Sequence, residues 1–324
     1  MKLPLVSVVL PVFNPDPQYF SECLGSILMQ SVKDFEIVIS DDSPDGQAEK
    51  FFQQFSSEKI KYRRNPGPRG IFSNLNHALH CASGDYFQIF CQDDRMYPNY
   101  LAEQRRALQK YPGAAFVYAQ CDGIDEQGNI KVPCAHPGTP KKPDMLVSRP
   151  KAINCFFKYG CLPGNLSTVM MRRELFQELG PFDVNYPFAG DFRYWVDAIL
   201  LHDFAINLMP LLGVRSHEKQ ASRTLGAVQW AADAAPVYGV LLAHLSVGQS
   251  RLFAKLFINE HFGIQSFSSI VRMGLYQKKP SLLKKLSILN QPPFNLPLII
   301  GLGVLTFWQK FKLLRLEEIQ LFEN

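Results

Sequence analysis

Tyr86-Phe87-Gln88-Ile89-Phe90-Cys91-Gln92-Asp93-Asp94 is an apolar run that ends in two adjacent carboxylates. A β-strand that buries its side chains and then stops at paired acids delivers those acids to the carboxyl edge of a sheet, where open α/β sheets bind ligands. Successive strand side chains point to opposite faces, so the two acids cannot serve one purpose. One can hold a hard divalent cation and the other a sugar hydroxyl. A cation shared with a diphosphate suits such a pair, because Mg²⁺ or Mn²⁺ takes one or two protein carboxylates and fills its shell with phosphate oxygens and water. Taken alone, the dipeptide reads more simply as a solvated turn, and the flanking sequence has to decide.

Outward from this stretch, strand-like and helix-like patterns alternate. Leu5 to Phe13 (LVSVVLPVF) is a β-branched run suited to a strand buried on both faces, and Tyr19 to Met29 follows with helical spacing through Phe20, Cys23, Leu24, Ile27 and Leu28. Phe35 to Ser40 repeats the strand pattern and ends in Asp41-Asp42, with a helical stretch expected near 48–55, a short strand over 59–63 and a helix over 72–81. Beyond Asp94 the pattern predicts a helix over 98–110 with Pro98 in its first turn and a strand over 114–118. Prolines 133, 137, 140, 143 and 150 then mark 120–150 as a long irregular excursion. Regular structure resumes with a strand over 165–171, a helix over 172–179 and another opening at Asp191. This alternation predicts a doubly wound α/β fold, a mostly parallel sheet flanked by helices.

Composition narrows the function classes. With 324 residues, 47% hydrophobic and 19% charged, the chain can bury a large core, and its net charge of +5 is not arranged as a nucleic-acid footprint. No nucleic-acid partner is expected. The seven cysteines are scattered without a CxxC pair, which argues against a disulfide framework or a zinc site. Met1-Lys2 leads straight into a strand pattern without a signal-peptide profile, so the expected location is the cytoplasm. P-loop, GxGxxG and GxSxG motifs are missing, which removes the main support for P-loop phosphoryl transfer, hydride transfer and serine hydrolysis.

Several segments in order resemble glycosyltransferase family 2, the inverting nucleotide-sugar transferases with a GT-A fold. They are Val6 to Asn14, Gln30 to Ser43 with its acidic turn, Gly84-Asp85-Tyr86 leading into Asp93-Asp94, Ala189 to Trp195, and Arg215 to Ser222. The resemblance spans roughly the first two-thirds of the chain and implies a GT-A domain over 1–224. It implies that Asp42 meets the base edge, that Pro11 and Phe13 line the base pocket, and that Arg69 and Asn76 contact the nucleotide. Asp93 would hold the ribose or donor sugar, while Asp94 and His217 would bind Mn²⁺ or Mg²⁺. Asp191 would be the catalytic base, although a helix N-cap is an alternative role for it. Gly190 stands where many members carry Glu, which leaves one carboxylate for that task.

The implied activity is transfer of a sugar from a UDP- or dTDP-linked donor to a saccharide or lipid-linked acceptor, in bacterial surface polysaccharide or glycolipid assembly. A sugar nucleotidyltransferase is the rival enzyme, but it needs a glycine-rich basic triphosphate loop near the first strand. A non-catalytic nucleotide-sugar-binding scaffold is the rival outside enzymes, and Gly190 favours it slightly. Residues 225–324 read as a helical appendage with basic clusters beside apolar stretches such as 294–308. Two readings stand side by side for it: peripheral contact with the inner face of the cytoplasmic membrane, or a helical subdomain or homodimer interface.

Overall fold

The computed structural model describes residues 5–44, 49, 51, 53, 55, 57–133, 143–218, 220 and 227–244. The chain forms two compact units, Met1–Leu225 and Gly226–Asn324. In the first, strands β1 (Val6–Val12), β2 (Phe35–Asp41), β3 (Ile60–Arg64), β4 (Tyr86–Ile89), β5 (Arg95–Met96), β6 (Ala114–Ile124), β7 (Ile130–Val132), β8 (Asp144–Val147), β9 (Val169–Arg172) and β10 (Asp203–Arg215) build one sheet. Its described helices are α1 (Pro17–Leu28), α2 (Ile71–Cys81), α3 (Tyr100–Lys110), α4 (Arg149–Tyr159), α5 (Arg173–Leu179) and α6 (Gly190–Leu201).

The sheet order is β3-β2-β1-β4-β9-β6-β10-β5, with β7 paired to β6 and β8 to β10. The long registers, β1 with β2 and β6 with β10, are parallel; the antiparallel pairings through β9, β5, β7 and β8 are short. Because β9 runs antiparallel to both β4 and β6, it restores one direction across itself. The carboxyl ends of β1, β2, β3, β4, β6 and β10 therefore lie along one edge, and the site is built there.

The β-branched run of β1 is buried on both faces, as its sequence predicts. Val6, Val8, Leu10 and Val12 join Phe20, Cys23, Leu24 and Ile27 of α1 and Tyr100, Leu101 and Leu108 of α3 in one core cluster. Strand alternation turns Val9 to the other face, where α2 covers β1 and β2. α1 begins where expected because Asp16 accepts hydrogen bonds from the Gln18 and Tyr19 amides, at 3.0 and 3.3 Å, just before Pro17.

Three sequence expectations change. Pro98 lies outside α3, whose capping residue is Asn99. The segment 120–150 is not one irregular loop. β6 runs on to Ile124, where parallel pairing with β10 stabilises it, and β7 and β8 return to the sheet. Asp144, fully buried on β8, anchors that return through Lys110 at 2.5 Å and Tyr111 at 2.8 Å. Residues 166–168 form a 3₁₀ turn rather than the start of β9. The helix expected over 48–55 falls largely outside the described residues. So does most of the expected helical region beyond 226, of which helix α7 (Ala227–His244) is described. Among the described residues no helix is long and apolar enough to cross a membrane.

At the opposite, amino edge, Glu36 of β2 accepts from Ser7 at 2.5 Å and from the Ser83 amide and hydroxyl at 2.7 Å each, and pairs with Lys61 at 2.5 Å. Burial alone would raise its carboxyl, but these bonds outweigh it and hold the group at about 2 against an ordinary 4.5. The folded state thus binds this proton less readily than the unfolded chain. Its contribution is complete above about pH 4.5 and is lost as pH falls toward 2. Glu36→Gln should cost roughly 2 kcal/mol at pH 7. The gap between the urea midpoints of wild type and variant should narrow at pH 3, and a pH-independent gap would contradict this account.

Candidate active site

The turn after β4 divides the two acids. The chain bends at Gln92-Asp93, so Asp94 points into the protein and Asp93 toward the edge. Asp94 is 1% exposed; its Oδ2 accepts from the Ser167 hydroxyl at 2.5 Å and its Oδ1 from the Arg215 amide at 2.9 Å. Burial pushes its carboxyl up to about 8, with the neighbouring Asp93 charge adding to the effect. Asp93 instead reaches His217, Nε2 to Oδ2 at 2.8 Å. Asp94 and His217 were expected to share a cation; the carboxylate that meets His217 is that of Asp93, and the oxygens of Asp94 accept from Ser167 and Arg215.

Ser167 does this from the 3₁₀ turn. Its hydroxyl also accepts from the Cys91 amide at 2.8 Å, so one side chain clamps both ends of the acidic turn. Gln92 clamps the turn to β1: its amide accepts from the Phe13 N–H at 2.9 Å and donates to the Phe13 carbonyl at 3.0 Å. The Phe13 ring is left 52% exposed beside the acids, with half-buried Pro11 behind it on β1.

Asp42 follows β2, and its amide donates to the Val12 carbonyl at 2.8 Å. Its carboxylate accepts from Asn65 at 3.0 Å and from the Gly70 amide at 2.8 Å, which fastens the loop after β3. Gly70 caps α2 with φ at 142°, a conformation that favours glycine. Hydrogen bonds, together with the peptide links Val12-Phe13 and Gln92-Asp93, therefore connect Asn65, Asp42, Val12, Phe13, Gln92, Asp93 and His217 along the edge. Arg69 is exposed on the same loop. Asn76 is committed elsewhere: its amide donates to the Phe182 carbonyl and accepts from the Phe182 N–H, each at 2.8 Å, which ties α2 to the segment before α6.

Asp191 sits half-buried in the first turn of α6 and accepts from the Phe192 amide at 2.7 Å. Burial pushes its carboxyl up to about 6. A Cβ on Gly190 would lie 2.6 Å from the Phe72 ring of α2, so Phe72 fills the space that a side chain at 190 would need. Phe72 in turn stacks on Phe182, ring centroids 5.7 Å apart.

The family model for glycosyl transferase family 2 matches residues 7–180, more than half of the chain. The chain belongs to glycosyl transferase family 2. Its relatives include uncharacterized glycosyltransferases of Rickettsia typhi, 26% identical over 68% of this chain and 67% of that protein, and of Haemophilus influenzae, 26% identical over 68% of each. Among solved structures the glycosyltransferase is similar to Staphylococcus aureus TarS in complex with UDP-GlcNAc, with a TM-score of 0.62 and 16% identity over 88% of this chain and 79% of that one. It is also similar to the mannosyltransferase PcManGT of Pyrobaculum calidifontis in complex with GDP-Man and Mn²⁺, with a TM-score of 0.55 and 16% identity over 96% and 89%. These likenesses place the sheet in the GT-A class. The family 2 match stops before α6 and so does not reach Asp191 or His217.

Among the described residues no three His, Cys, Asp or Glu side chains cluster as a complete metal cage. The donor set at the turn is one carboxylate and one imidazole. That set fits a divalent cation that arrives with phosphate oxygens of its own, and the imidazole favours Mn²⁺ over the harder Mg²⁺.

Sequence reasoning missed Gln92, Ser167, Arg215 and the Gly190–Phe72 contact. Only the last carried a signal, the glycine itself. Gly190→Ala should destabilise this family 2 enzyme by about 1–3 kcal/mol through overpacking. In a Phe72→Leu background the same substitution should cost less, as urea unfolding would show; equal costs in the two backgrounds would mean that the ring is not the obstacle.

Proposed function

We propose that this glycosyltransferase transfers a sugar from a nucleoside-diphosphate donor to a hydroxyl acceptor with inversion, using Asp93 and His217 as cation ligands and Asp191 as general base. The observation that carries the reading is the Asp93–His217 pair, 2.8 Å apart, at the edge where β1 and β2 present Phe13 and Asp42. The complexes of TarS with UDP-GlcNAc and of PcManGT with GDP-Man and Mn²⁺ support it.

In this reading the Phe13 ring offers an apolar face to the base. Asp42 shapes the base site through the Asn65–Gly70 loop as much as through its own carboxylate, and a UDP- or dTDP-linked donor remains the proposal. A bound Mn²⁺ would supply charge neutralisation of the diphosphate as it departs. The acceptor oxygen attacks the anomeric carbon from the face opposite the diphosphate, a new C–O bond forms, and the bond to the diphosphate breaks with its electron pair leaving on phosphate oxygen. The acceptor proton passes to Asp191. An acceptor hydroxyl is a poor nucleophile until that proton is removed, and a carboxylate within reach supplies general-base catalysis of about 10²–10⁴-fold. A single displacement inverts the centre, through an oxocarbenium-like transition state.

Asp93→Asn should abolish Mn²⁺-dependent donor binding, measured by titration calorimetry with UDP-sugars, whereas unchanged metal dependence would remove Asp93 from the site. Asp191→Asn should keep donor binding and lose transfer about 10²–10⁴-fold. Because the base must be ionised, kcat/KM should rise with pH through about 6 and level above it, following the Asp191 carboxyl. A pH profile flat between 5 and 7 would exclude Asp191 as the base. Donor binding without turnover, for any donor and acceptor pair, would favour a binding scaffold.

A further inference from the structure

We propose that Arg215 is the positioning residue for the Asp93–His217 pair, its buried guanidinium holding the Asp93 carbonyl and packing on the Tyr19 ring that His217 also meets; the inference rests on the metal reading above. Arg215 ends β10 and is 0% exposed. Its Nε donates to the Asp93 carbonyl at 2.8 Å, Nη1 to the Asp125 and Glu126 carbonyls at 3.0 and 2.9 Å, and Nη2 to the Glu22 carboxylate at 2.5 Å. Its backbone amide donates to Asp94, and its carbonyl accepts from the Gln220 side chain.

These bonds converge on the two donors from both sides. Asp93 carries the metal-facing carboxylate, and its carbonyl is held by Arg215. His217 follows Arg215 by two positions, and its backbone amide donates to the same Gln220 side chain at 3.4 Å. The Tyr19 ring closes the set: the Arg215 guanidinium lies 4.7 Å from its centroid, and the His217 ring lies 5.2 Å away. Tyr19 and Glu22 stand on α1, one turn apart, so the helix carries both the aromatic face and the counter-charge.

Only a planar fork can do this. A lysine keeps the charge but not the five divergent donors, and it cannot serve Asp93, the 125–126 turn and Glu22 together. A fold-stabilising arginine would need none of these particular partners, because other sites on the sheet are anchored without reference to the acids, as Asp144 is. Residues that orient metal ligands commonly set affinity by 10–100-fold without touching the ion.

The test measures Mn²⁺ dissociation constants by electron paramagnetic resonance of free Mn²⁺, with UDP present, for wild type, Arg215→Lys, Glu22→Gln and Glu36→Gln. Arg215→Lys should weaken Mn²⁺ by about 10-fold or more, and Glu22→Gln, which keeps every carbonyl contact, by about threefold. Glu36→Gln, destabilised at the opposite edge, should leave the constant within about twofold. UDP-sugar turnover by Arg215→Lys should be lost at limiting Mn²⁺ and return at saturating Mn²⁺. If Arg215→Lys does not fold, the Glu22→Gln constant decides. Wild-type binding with unchanged constants in the Arg215 and Glu22 variants would overturn the positioning role alone, as would equal weakening in Glu36→Gln. A wild-type chain that binds no Mn²⁺ would overturn the metal reading and this inference together.

Discussion

Two adjacent carboxylates at the end of a buried strand cannot point the same way, and the site depends on how that constraint is met. One acid must face inward, where an unpartnered charge would be costly. Here Asp94 turns inward and is received by the Ser167 hydroxyl and the Arg215 amide, which frees Asp93 to meet His217. The partners come from the turn before β9 and the end of β10, which are far apart in sequence. The acidic turn is therefore held by tertiary contacts from two distant parts of the sheet.

Burial raises two carboxyls in this unit with different consequences. Asp94 is pushed to about 8 by burial and by Asp93, and its oxygens are engaged by protein donors. Asp191 is pushed only to about 6 and accepts one hydrogen bond, from its neighbour's amide. A carboxylate in that range is ionised at neutral pH yet basic enough to take a proton in the transition state, which suits a general base better than an ordinary aspartate. The more strongly shifted group is the less suitable catalyst, so a perturbed carboxyl alone does not mark the catalytic residue.

Much of the sheet was legible because β-branched runs in β1 and β2 need no distant partner to declare themselves, and the acids at their ends mark its binding edge. The extension of β6 to Ile124 was not legible. Gln120-Cys121-Asp122-Gly123 lacks strand character and is held by pairing with Pro210 to Val214 on β10, some ninety residues later. Tertiary pairing overrides local preference there. The division of labour between Asp93 and Asp94 was hidden for a related reason. Alternation says that adjacent acids differ, but which one faces inward depends on Ser167, whose 3₁₀ turn reads locally as strand. Gln92 was passed over because it carries no charge, although its amide joins the acidic turn to β1.

Gly190 shows how packing and electrostatics beside Asp191 constrain each other. The Phe72 ring lies where its side chain would be, so no second carboxylate can stand beside Asp191 unless that ring moves. A neighbouring acid would add like-charge repulsion and raise Asp191 further. Without one, burial is the main cause of the shift. Phe72 stacks on Phe182 and Phe182 on Tyr194, so apolar rings pack around the place where a second acid would have stood. Burial raises Asp191 while leaving it the acid of the first turn of α6, where the helix dipole favours its ionised form. The missing acid is therefore compatible with a working base, and the glycine is accounted for by the ring it accommodates.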